Sequence, residues 1–297
     1  MRASYGSLQL LGLKPGGYPF SPRAVFLLIG DACEGGCLFC PQSSGSPEKL
    51  SRVTWPEVEE ADVIDAILKT KIDRVCIQAT KSSTTKHEVL RLLKKIGEAT
   101  IAPISVSMHI ETFEDARELL EAGAANVSMA LDTATEELSQ QIKHKPILQT
   151  IDLLIKTASY YPGQVTTHLI AGLGETQEEL VELARVLIRA NVCVSLFAFT
   201  PIPGTPLENI RQPELSIYRQ IQTALALIRK DHDWKITYNH GFIIDLGDYK
   251  PHLKQSDFQN PGCRGCNRPY YNEKPGGIIY NHPNPPDMEQ IIKEIGL

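Results

Sequence analysis

Three cysteines, Cys33, Cys37 and Cys40, lie within eight residues of each other, directly after the apolar stretch 24–29. Three thiolates on one short loop can bind three irons of a 4Fe-4S cluster and leave the fourth iron without a protein ligand. An iron with an open coordination position can bind a small molecule and take part in chemistry. The spacing therefore predicts a catalytic iron-sulfur cluster on these three residues.

Two other uses of closely spaced cysteines are disfavoured. Structural zinc usually has four ligands in two pairs, and no fourth Cys or His follows the triplet nearby. A disulfide framework is typical of small secreted domains, and this chain of 297 residues lacks the signs of such a scaffold. The cluster is the preferred interpretation.

Composition indicates a globular protein with a substantial core. The chain is 42% hydrophobic and 22% charged, which suits one large α/β barrel or two ordinary domains. The net charge of -5, without a long Lys/Arg block, argues against nucleic acid or a membrane surface as partner. No leader-like segment begins the chain, and no apolar run approaches the ~20 residues that span a bilayer. We therefore expect a cytoplasmic protein.

Apolar runs of strand length alternate with amphipathic segments of helical period, which is the pattern of βα units around a parallel sheet. The strands are expected at 24–29, 74–79, 103–110, 126–131, 165–171, 192–199 and 235–239. Helix N-terminal caps are expected at Thr54, Thr112 and Thr176, each followed by a carboxylate three residues later.

The fold class is therefore predicted as α/β, a full or partial TIM-like (β/α) barrel of parallel strands. Sites in such barrels lie at the C-terminal ends of the strands, and the cysteine triplet follows the first one. We expect an N-terminal segment over 1–20, the barrel over 21–250 and an irregular C-terminal extension over 251–297. The extension ends in a short helix at 287–295 and packs across the barrel.

The triplet has the form Cys-x-x-x-Cys-x-x-Cys with an aromatic residue, Phe39, before the last cysteine. It resembles the signature of the radical S-adenosylmethionine superfamily. The resemblance implies that S-adenosylmethionine binds the open iron and that an electron from the cluster splits it. The products are methionine and a 5′-deoxyadenosyl radical, which removes hydrogen from unactivated carbon. A reductant such as a ferredoxin would supply the electron.

Two further segments are similar to superfamily motifs. Residues 168–175 resemble the fifth-strand Gly-x-Ile-x-Gly-x-x-Glu motif, which packs against the adenine and implies cofactor contacts for Ile170, Gly172 and Glu175. The same segment can equally be a strand-to-helix turn capped by Thr176. Asp132 follows the fourth strand, and the similarity to biotin synthase implies a contact with the ribose, although this residue can also cap a helix.

A second cysteine pair, Cys263 and Cys266, lies in the C-terminal extension. Such a pair can be a redox dithiol, half of a zinc site or part of a second iron-sulfur cluster. Cys76 on the second strand is at the position of an auxiliary-cluster cysteine of biotin synthase, whose other two are replaced near Ser107 and His168. We expect the extension to fold over the barrel mouth and bring the pair to Cys76, in preference to an inert thiol at Cys76.

The remaining candidates receive weaker assignments. Cys193 is expected to be an ordinary core thiol, and single strand histidines such as His109 and His168 are more often packed than ligating. The side chains beside the cysteine pair are candidates for contacts with substrate, cluster or barrel rim: Arg264, Arg268, Tyr270 and Tyr271.

Residues 263–273, followed by Pro-Gly-Gly at 275–277, resemble the C-terminal signature of the two-protein lipoyl synthases, which are biotin-synthase-like. The resemblance implies an auxiliary 4Fe-4S cluster on Cys76, Cys263 and Cys266 that gives sulfur to an octanoyl chain. It also implies an octanoylated carrier protein or peptide as substrate and a paralogous lipoyl synthase component as partner. The alternatives are a superfamily enzyme whose second cluster relays electrons or anchors substrate, and a non-catalytic iron-sulfur or zinc scaffold.

Overall fold

The computed structural model describes residues 1–16, 22–46, 49–233, 235–259, 262–263, 265–268, 272–273 and 276–297. The strands are β1 (Arg2–Ala3), β2 (Ala24–Ile29), β3 (Lys49–Leu50), β4 (Val53–Thr54), β5 (Arg74–Ala79), β6 (Ile104–Ser107), β7 (Asn126–Ser128), β8 (Val165–Ala171), β9 (Cys193–Ala198), β10 (Thr237–Asn239) and β11 (Phe242–Asp245). The α-helices are α1 (Tyr5–Leu10), α2 (Glu60–Lys69), α3 (Thr85–Ala99), α4 (Phe113–Glu121), α5 (Glu136–Lys143), α6 (Leu148–Tyr160), α7 (Gln177–Arg189), α8 (Leu215–Ile228) and α9 (Met288–Ile295).

In this part of the chain, seven strands form one sheet in the order β1-β2-β5-β6-β7-β8-β9. Every pair from β2 to β9 is parallel, and only β1 runs antiparallel to its neighbour. Consecutive parallel strands are joined through helices, as right-handed crossovers require. With β1 and β9 as the two edges, the described sheet is a partial barrel, which confirms the predicted fold class.

The strands are buried because helices cover one face of the sheet while the other encloses the barrel interior. All six residues of β2 are buried, as is usual for a parallel strand packed on both sides. The apolar stripe of α4, formed by Ala116, Leu119 and Leu120, is buried against the sheet. None of the described helices has the length and apolarity needed to cross a membrane.

Two of the three predicted helix caps are confirmed and one is wrong. Thr112 and Thr176 each form a capping box with the carboxylate three residues later. Thr54 instead lies in β4, which pairs antiparallel with β3, and α2 begins after Glu59. The cap was predicted wrongly because Thr54 belongs to a pair of short strands and lies several residues before the helix. Local sequence does not show this strand pairing.

The last predicted strand is present but does not belong to the barrel sheet. Residues 237–239 form β10, which pairs with β11 in a separate antiparallel hairpin and not with the barrel sheet. His240 and Gly241 connect the two strands, and both have positive φ, at 50° and 81°. A two-residue turn of this kind favours a hairpin. The turn at 240–241 therefore explains why β10 pairs with β11 and not with the barrel sheet.

The C-terminal extension ends in the predicted helix, α9, which packs on α8. Arg219 of α8 is fully buried and joins the two: it donates to the carbonyl oxygens of Ile279 and Tyr280 and to Glu294. This guanidinium is therefore the main polar anchor of the extension on the barrel.

The cysteine pair does not lie at the barrel mouth, which corrects the predicted position. Asn267 accepts a hydrogen bond from the backbone nitrogen of Arg23, just before β2. Gly265 has a φ of +85°, and a Cβ at this position would lie 3.0 Å from the Cβ of Asp73, just before β5. Both contacts are at the N-terminal ends of the strands. This part of the extension therefore approaches the barrel at the N-terminal ends of β2 and β5.

Candidate active site

A cavity of about 540 Å³ lies at the C-terminal ends of the parallel strands. All three cysteines of the triplet line it, together with Phe39, Asp132 and Ile170. The structure therefore brings six of the predicted site residues to one place. We call this space the upper cavity.

The loop after β2 holds the three thiols through backbone contacts. The Cys33 sulfur accepts a hydrogen bond from the Lys81 backbone nitrogen at 3.4 Å, and the Cys40 nitrogen donates to the Cys37 carbonyl at 3.1 Å. A Cβ at Gly35 would lie 3.2 Å from the Cys33 sulfur and 3.9 Å from that of Cys37. The glycine thus allows two sulfurs to approach the same stretch of backbone.

Burial disfavours the charged form of these thiols in the protein alone. It raises the pKa of Cys37 to about 12, against the opposing charge of Lys143, and it also raises the pKa of Cys40. No three His, Cys, Asp or Glu side chains in the described ranges converge around a single ion. A cluster has several irons and does not need such convergence, because each thiolate binds a different iron.

An apolar wall stands beside the triplet. Ile142, Leu173 and Phe199 form a buried cluster, against which Phe39 and Ile170 pack. Phe39 on the cysteine loop and Ile170 on β8, which the sequence predicted to contact the cofactor, are therefore part of one apolar surface. Such a surface can hold a flat aromatic group and exclude water from it.

Gly172 and Glu175 form the turn after β8 and are not among the described residues that line the upper cavity. The Glu175 carboxylate accepts hydrogen bonds from the backbone nitrogens of Gly172, at 2.7 Å, and Leu173, at 3.0 Å. Gly172 has a φ of +99°, which favours glycine. These contacts agree with the strand-to-helix turn capped by Thr176. A cofactor role of the pair stays a prediction.

Asp132 is the centre of a buried charge network. Its carboxylate binds the Lys143 ammonium on one side and lies 2.7 Å from His168 Nε2 on the other. Lys143 also donates to the carbonyl oxygens of Ala130 and Leu131. Burial raises the pKa of Asp132, but the two neighbours outweigh it and hold this pKa well below its usual range. The predicted ribose contact would have to share a carboxylate that is already hydrogen-bonded twice.

Lys145, two residues further on, also lines the upper cavity. Burial and then the nearby Lys143 charge lower the pKa of Lys145 to about 8. We did not single out either lysine from the sequence. Their signal was the basic run Lys143-His144-Lys145. It begins at the last residue of α5 and reaches the cavity because this helix packs beside the cysteine loop, where the Leu38 backbone nitrogen donates to the Ile142 carbonyl.

The lowered pKa of Lys145 leads to a test by chemical labelling. At pH 8 about half of this side chain should be neutral, whereas a lysine with the usual value of about 10.4 is almost entirely charged. We expect the acylation rate of Lys145, measured by mass spectrometry, to level off just above pH 8. The exposed Lys71 serves as the comparison in the same samples. A Lys145 rate that still rises tenfold between pH 9 and pH 10 would contradict the assignment.

A second and smaller pocket, of about 40 Å³, lies deeper in the barrel interior. Cys76, Cys263 and Cys266 line it, so the structure brings together the second group of cysteines. The Ser105 hydroxyl donates to the Cys263 sulfur at 3.2 Å, and Arg74 Nη1 donates to the same hydroxyl at 2.6 Å. We call this space the lower pocket.

Burial raises the pKa of Cys76 to about 12, and Arg268 opposes it with its positive charge. The Arg268 Nη2 atom lies 3.9 Å from the Cys76 sulfur. Burial also raises the pKa of Cys266, again opposed by Arg268. The lower thiols thus have a cation beside them that favours their thiolate form.

Of the remaining candidates, His109 lines the upper cavity, and Cys193 is not among the described residues that line either space. Cys193 begins β9 and is half-buried, and His109 Nε2 lies 2.8 Å from a Glu111 carboxylate oxygen. Of the candidates beside the cysteine pair, Arg268 lies at the lower pocket. The other three lie outside the described residues: Arg264, Tyr270 and Tyr271.

Comparisons with known proteins agree with this geometry. The chain is 32% identical over 189 residues to biotin synthase of Persephonella marina, a match that covers 61% of this chain and 55% of that protein. It is 28% identical to biotin synthase of Vesicomyosocius okutanii, over 90% of this chain and 80% of that one. The chain thus spans only about half the length of the first of these relatives.

Among solved structures, that of methylornithine synthase has a TM-score of 0.55 at 16% identity, covering 70% of this chain and 62% of that one. This likeness concerns the fold. The family model of the radical SAM superfamily matches residues 27–187, which is more than half of the chain and includes the cysteine triplet. The chain therefore belongs to the radical S-adenosylmethionine superfamily, and within it resembles biotin synthase.

Proposed function

We propose that this protein is a radical S-adenosylmethionine sulfurtransferase that inserts sulfur from an auxiliary iron-sulfur cluster into an unactivated C-H bond. The proposed substrate is an octanoyl chain bound to a carrier protein or peptide, which makes the protein a lipoyl synthase component. The observation that carries this proposal is the presence of two separate groups of three thiols in one barrel, one in the upper cavity and one in the lower pocket.

Membership in the superfamily implies a 4Fe-4S cluster and S-adenosylmethionine, and the residues of the upper cavity fit both. Cys33, Cys37 and Cys40 supply three thiols, and the apolar wall with Phe39 and Ile170 suits an adenine. When bound, this cofactor pair supplies a 5′-deoxyadenosyl radical. The chain's own contribution is to hold the thiols on a backbone braced by Lys81 and to keep water away from the wall.

The lower pocket has a donor set that fits a second cluster. Cys76, Cys263 and Cys266 supply three thiols, and Arg74 and Arg268 place positive charge beside them. Cations stabilise the thiolate form that binds iron. The space between these side chains is small, about 40 Å³, compared with about 540 Å³ for the upper cavity.

The substrate and partners are proposed on the resemblance of residues 263–277 to the two-protein lipoyl synthases. We propose a paralogous lipoyl synthase component that makes the other C-S bond, a reductant such as a ferredoxin and a cytoplasmic location. The apolar part of the lining of the upper cavity, which includes Leu28, Met108, Ile110 and Met129, supports an alkyl chain as substrate.

Iron counting tests the two-cluster proposal. We expect the anaerobically reconstituted protein to bind about eight irons, and the Cys263→Ala/Cys266→Ala protein about four. The double variant should still release 5′-deoxyadenosine but form no thiolated octanoyl-lysine peptide, as measured by mass spectrometry. The matched control is Cys193→Ala, which should keep all of the iron. If the double substitution leaves the iron content unchanged, the proposal of an auxiliary cluster on these cysteines is wrong.

Two measurements separate the alternatives that the sequence left open. A second cluster that relays electrons or anchors substrate keeps its sulfide during a single turnover, whereas a sulfur donor loses it. A non-catalytic scaffold binds metal yet releases no 5′-deoxyadenosine when it is reduced with S-adenosylmethionine. The proposed function requires both sulfide loss and 5′-deoxyadenosine.

A further inference from the structure

The upper cavity and the lower pocket share a wall. Four residues line both spaces: Ser107, His168, Phe197 and Arg268. The first three belong to β6, β8 and β9, and the fourth comes from the C-terminal extension. We call these four residues the dividing layer, because they are the described residues that both spaces share.

Arg268 fills the part of this layer that the strands leave open. Its guanidinium carbon lies 5.4 Å from the ring centre of Phe26 on β2 and 5.7 Å from that of Phe197 on β9. Since β9 is the last strand of the described parallel sheet, this side chain bridges the open side of the barrel. The two rings hold the cation by their faces.

The same guanidinium covers the lower thiols. It lies 3.9 Å from the Cys76 sulfur and lines the lower pocket together with Cys266. The backbone of Arg268 has a φ of +31°, a region that side chains other than glycine rarely adopt. A backbone in this region needs support from neighbouring contacts. Here the preceding residue, Asn267, accepts a hydrogen bond from the Arg23 backbone nitrogen.

We propose that Arg268 is a gate: it shields Cys76 and Cys266 from the upper cavity, and its displacement joins the two spaces. The other three members of the layer are fixed by sheet pairing, whereas Arg268 has a long side chain on irregular backbone. The shielding stands without the proposed function. Its role in sulfur transfer, to decide when a group in the upper cavity meets the lower thiols, rests on that function.

Cysteine labelling of the full-length, metal-free protein tests the gate. Two variants, Arg268→Gly and Arg268→Met, both lose the cation, but methionine keeps the length of the side chain while glycine removes it and tolerates the positive φ. Iodoacetamide labelling of Cys76, followed by mass spectrometry, should be about tenfold faster in the glycine variant than in the methionine variant. Equal rates in the two variants overturn the proposal.

Two comparisons keep this test decisive. Cys193, which is not among the described residues lining either space, should react equally in both variants, and a common rise would report unfolding. In the unchanged protein, Cys37 lines the upper cavity and is half-buried, whereas Cys76 lines the lower pocket and is buried, so their labelling rates compare access to the two spaces. Cys37 should react about tenfold faster, and this comparison does not depend on the folding of any variant. Equal rates for Cys37 and Cys76 also overturn the gate.

The proposal and the proposed function fail in different ways. If iron counting finds one cluster only, the sulfur-transfer function fails, while the labelling contrast between Arg268→Gly and Arg268→Met still stands. If two clusters are found and the labelling rates are equal, the gate fails alone.

Discussion

The Cys37→Ala protein is expected to lose reductive cleavage of S-adenosylmethionine. Cys37 is the middle thiol of the loop after β2, and without it the proposed cluster would keep only two protein ligands, Cys33 and Cys40. Loss of an outer-shell partner of a metal site costs 10- to 100-fold, so loss of a ligand should cost more than about 100-fold. The measurement is 5′-deoxyadenosine released from anaerobically reconstituted protein, together with iron content.

Gly35→Ala provides a graded companion to this substitution. The new Cβ would lie 3.2 Å from the Cys33 sulfur, so the loop must shift by a few tenths of an ångström while all three ligands stay present. We expect 5′-deoxyadenosine formation to fall by about tenfold or less. Cys193→Ala is the neutral control. If Cys37→Ala retains activity similar to that of Cys193→Ala, the triplet does not hold the catalytic cluster.

The Arg219→Met protein should lose about 3–5 kcal/mol of unfolding free energy, because the substitution leaves buried partners of a charged group unpaired. Arg219 has no exposed surface and donates to Glu294 at 2.7 Å and to the Ile279 carbonyl at 2.6 Å. Urea denaturation monitored by circular dichroism gives the change. Since these contacts anchor the C-terminal extension, we also expect faster labelling of Cys263 at low urea concentration.

Two matched variants check this result. Arg219→Lys keeps the charge but loses the planar guanidinium group. Its free energy of unfolding should therefore lie between those of the unchanged protein and of Arg219→Met. Arg117→Met, at a residue about half exposed, should change the unfolding free energy by less than about 0.5 kcal/mol. A loss below about 1 kcal/mol for Arg219→Met would show that the extension is anchored elsewhere.

The same arginine controls a pH response of the extension. Burial, and then the Arg219 charge, lower the pKa of His282 to about 4. A histidine with a lowered pKa contributes stability above its usual value of about 6.5 and loses it as the pH falls towards 4. The free energy of unfolding should therefore decline as the pH falls from about 6.5 to about 4. In the Arg219→Met protein the pKa of His282 should lie closer to 6.5, so this decline should end at a higher pH.

The predicted elements with strong local signals were confirmed. The strands β2, β5 and β8 have the predicted bounds. In β2 the signal is a continuous apolar run, as expected for a parallel strand that is buried on both faces. The capping boxes at Thr112 and Thr176 were readable because their two partners are three residues apart. Two predictions were wrong: the helix cap at Thr54 and the place of the strand at 235–239 in the barrel sheet. In both cases a short antiparallel pairing, which local propensity does not show, decides the structure.

The sequence by itself determined the superfamily and the first thiol group, since the spacing of Cys33, Cys37 and Cys40 on one loop is a local property of the chain. It also predicted that Cys76 would meet Cys263 and Cys266. Only the tertiary structure decided from which side they meet, that Lys143 and His168 occupy the Asp132 carboxylate, and that Arg268 separates the two thiol groups. These contacts join residues that are 11 to 192 positions apart in the chain. Their geometry depends on how the sheet, the helices and the extension pack together, and local sequence patterns do not show this packing.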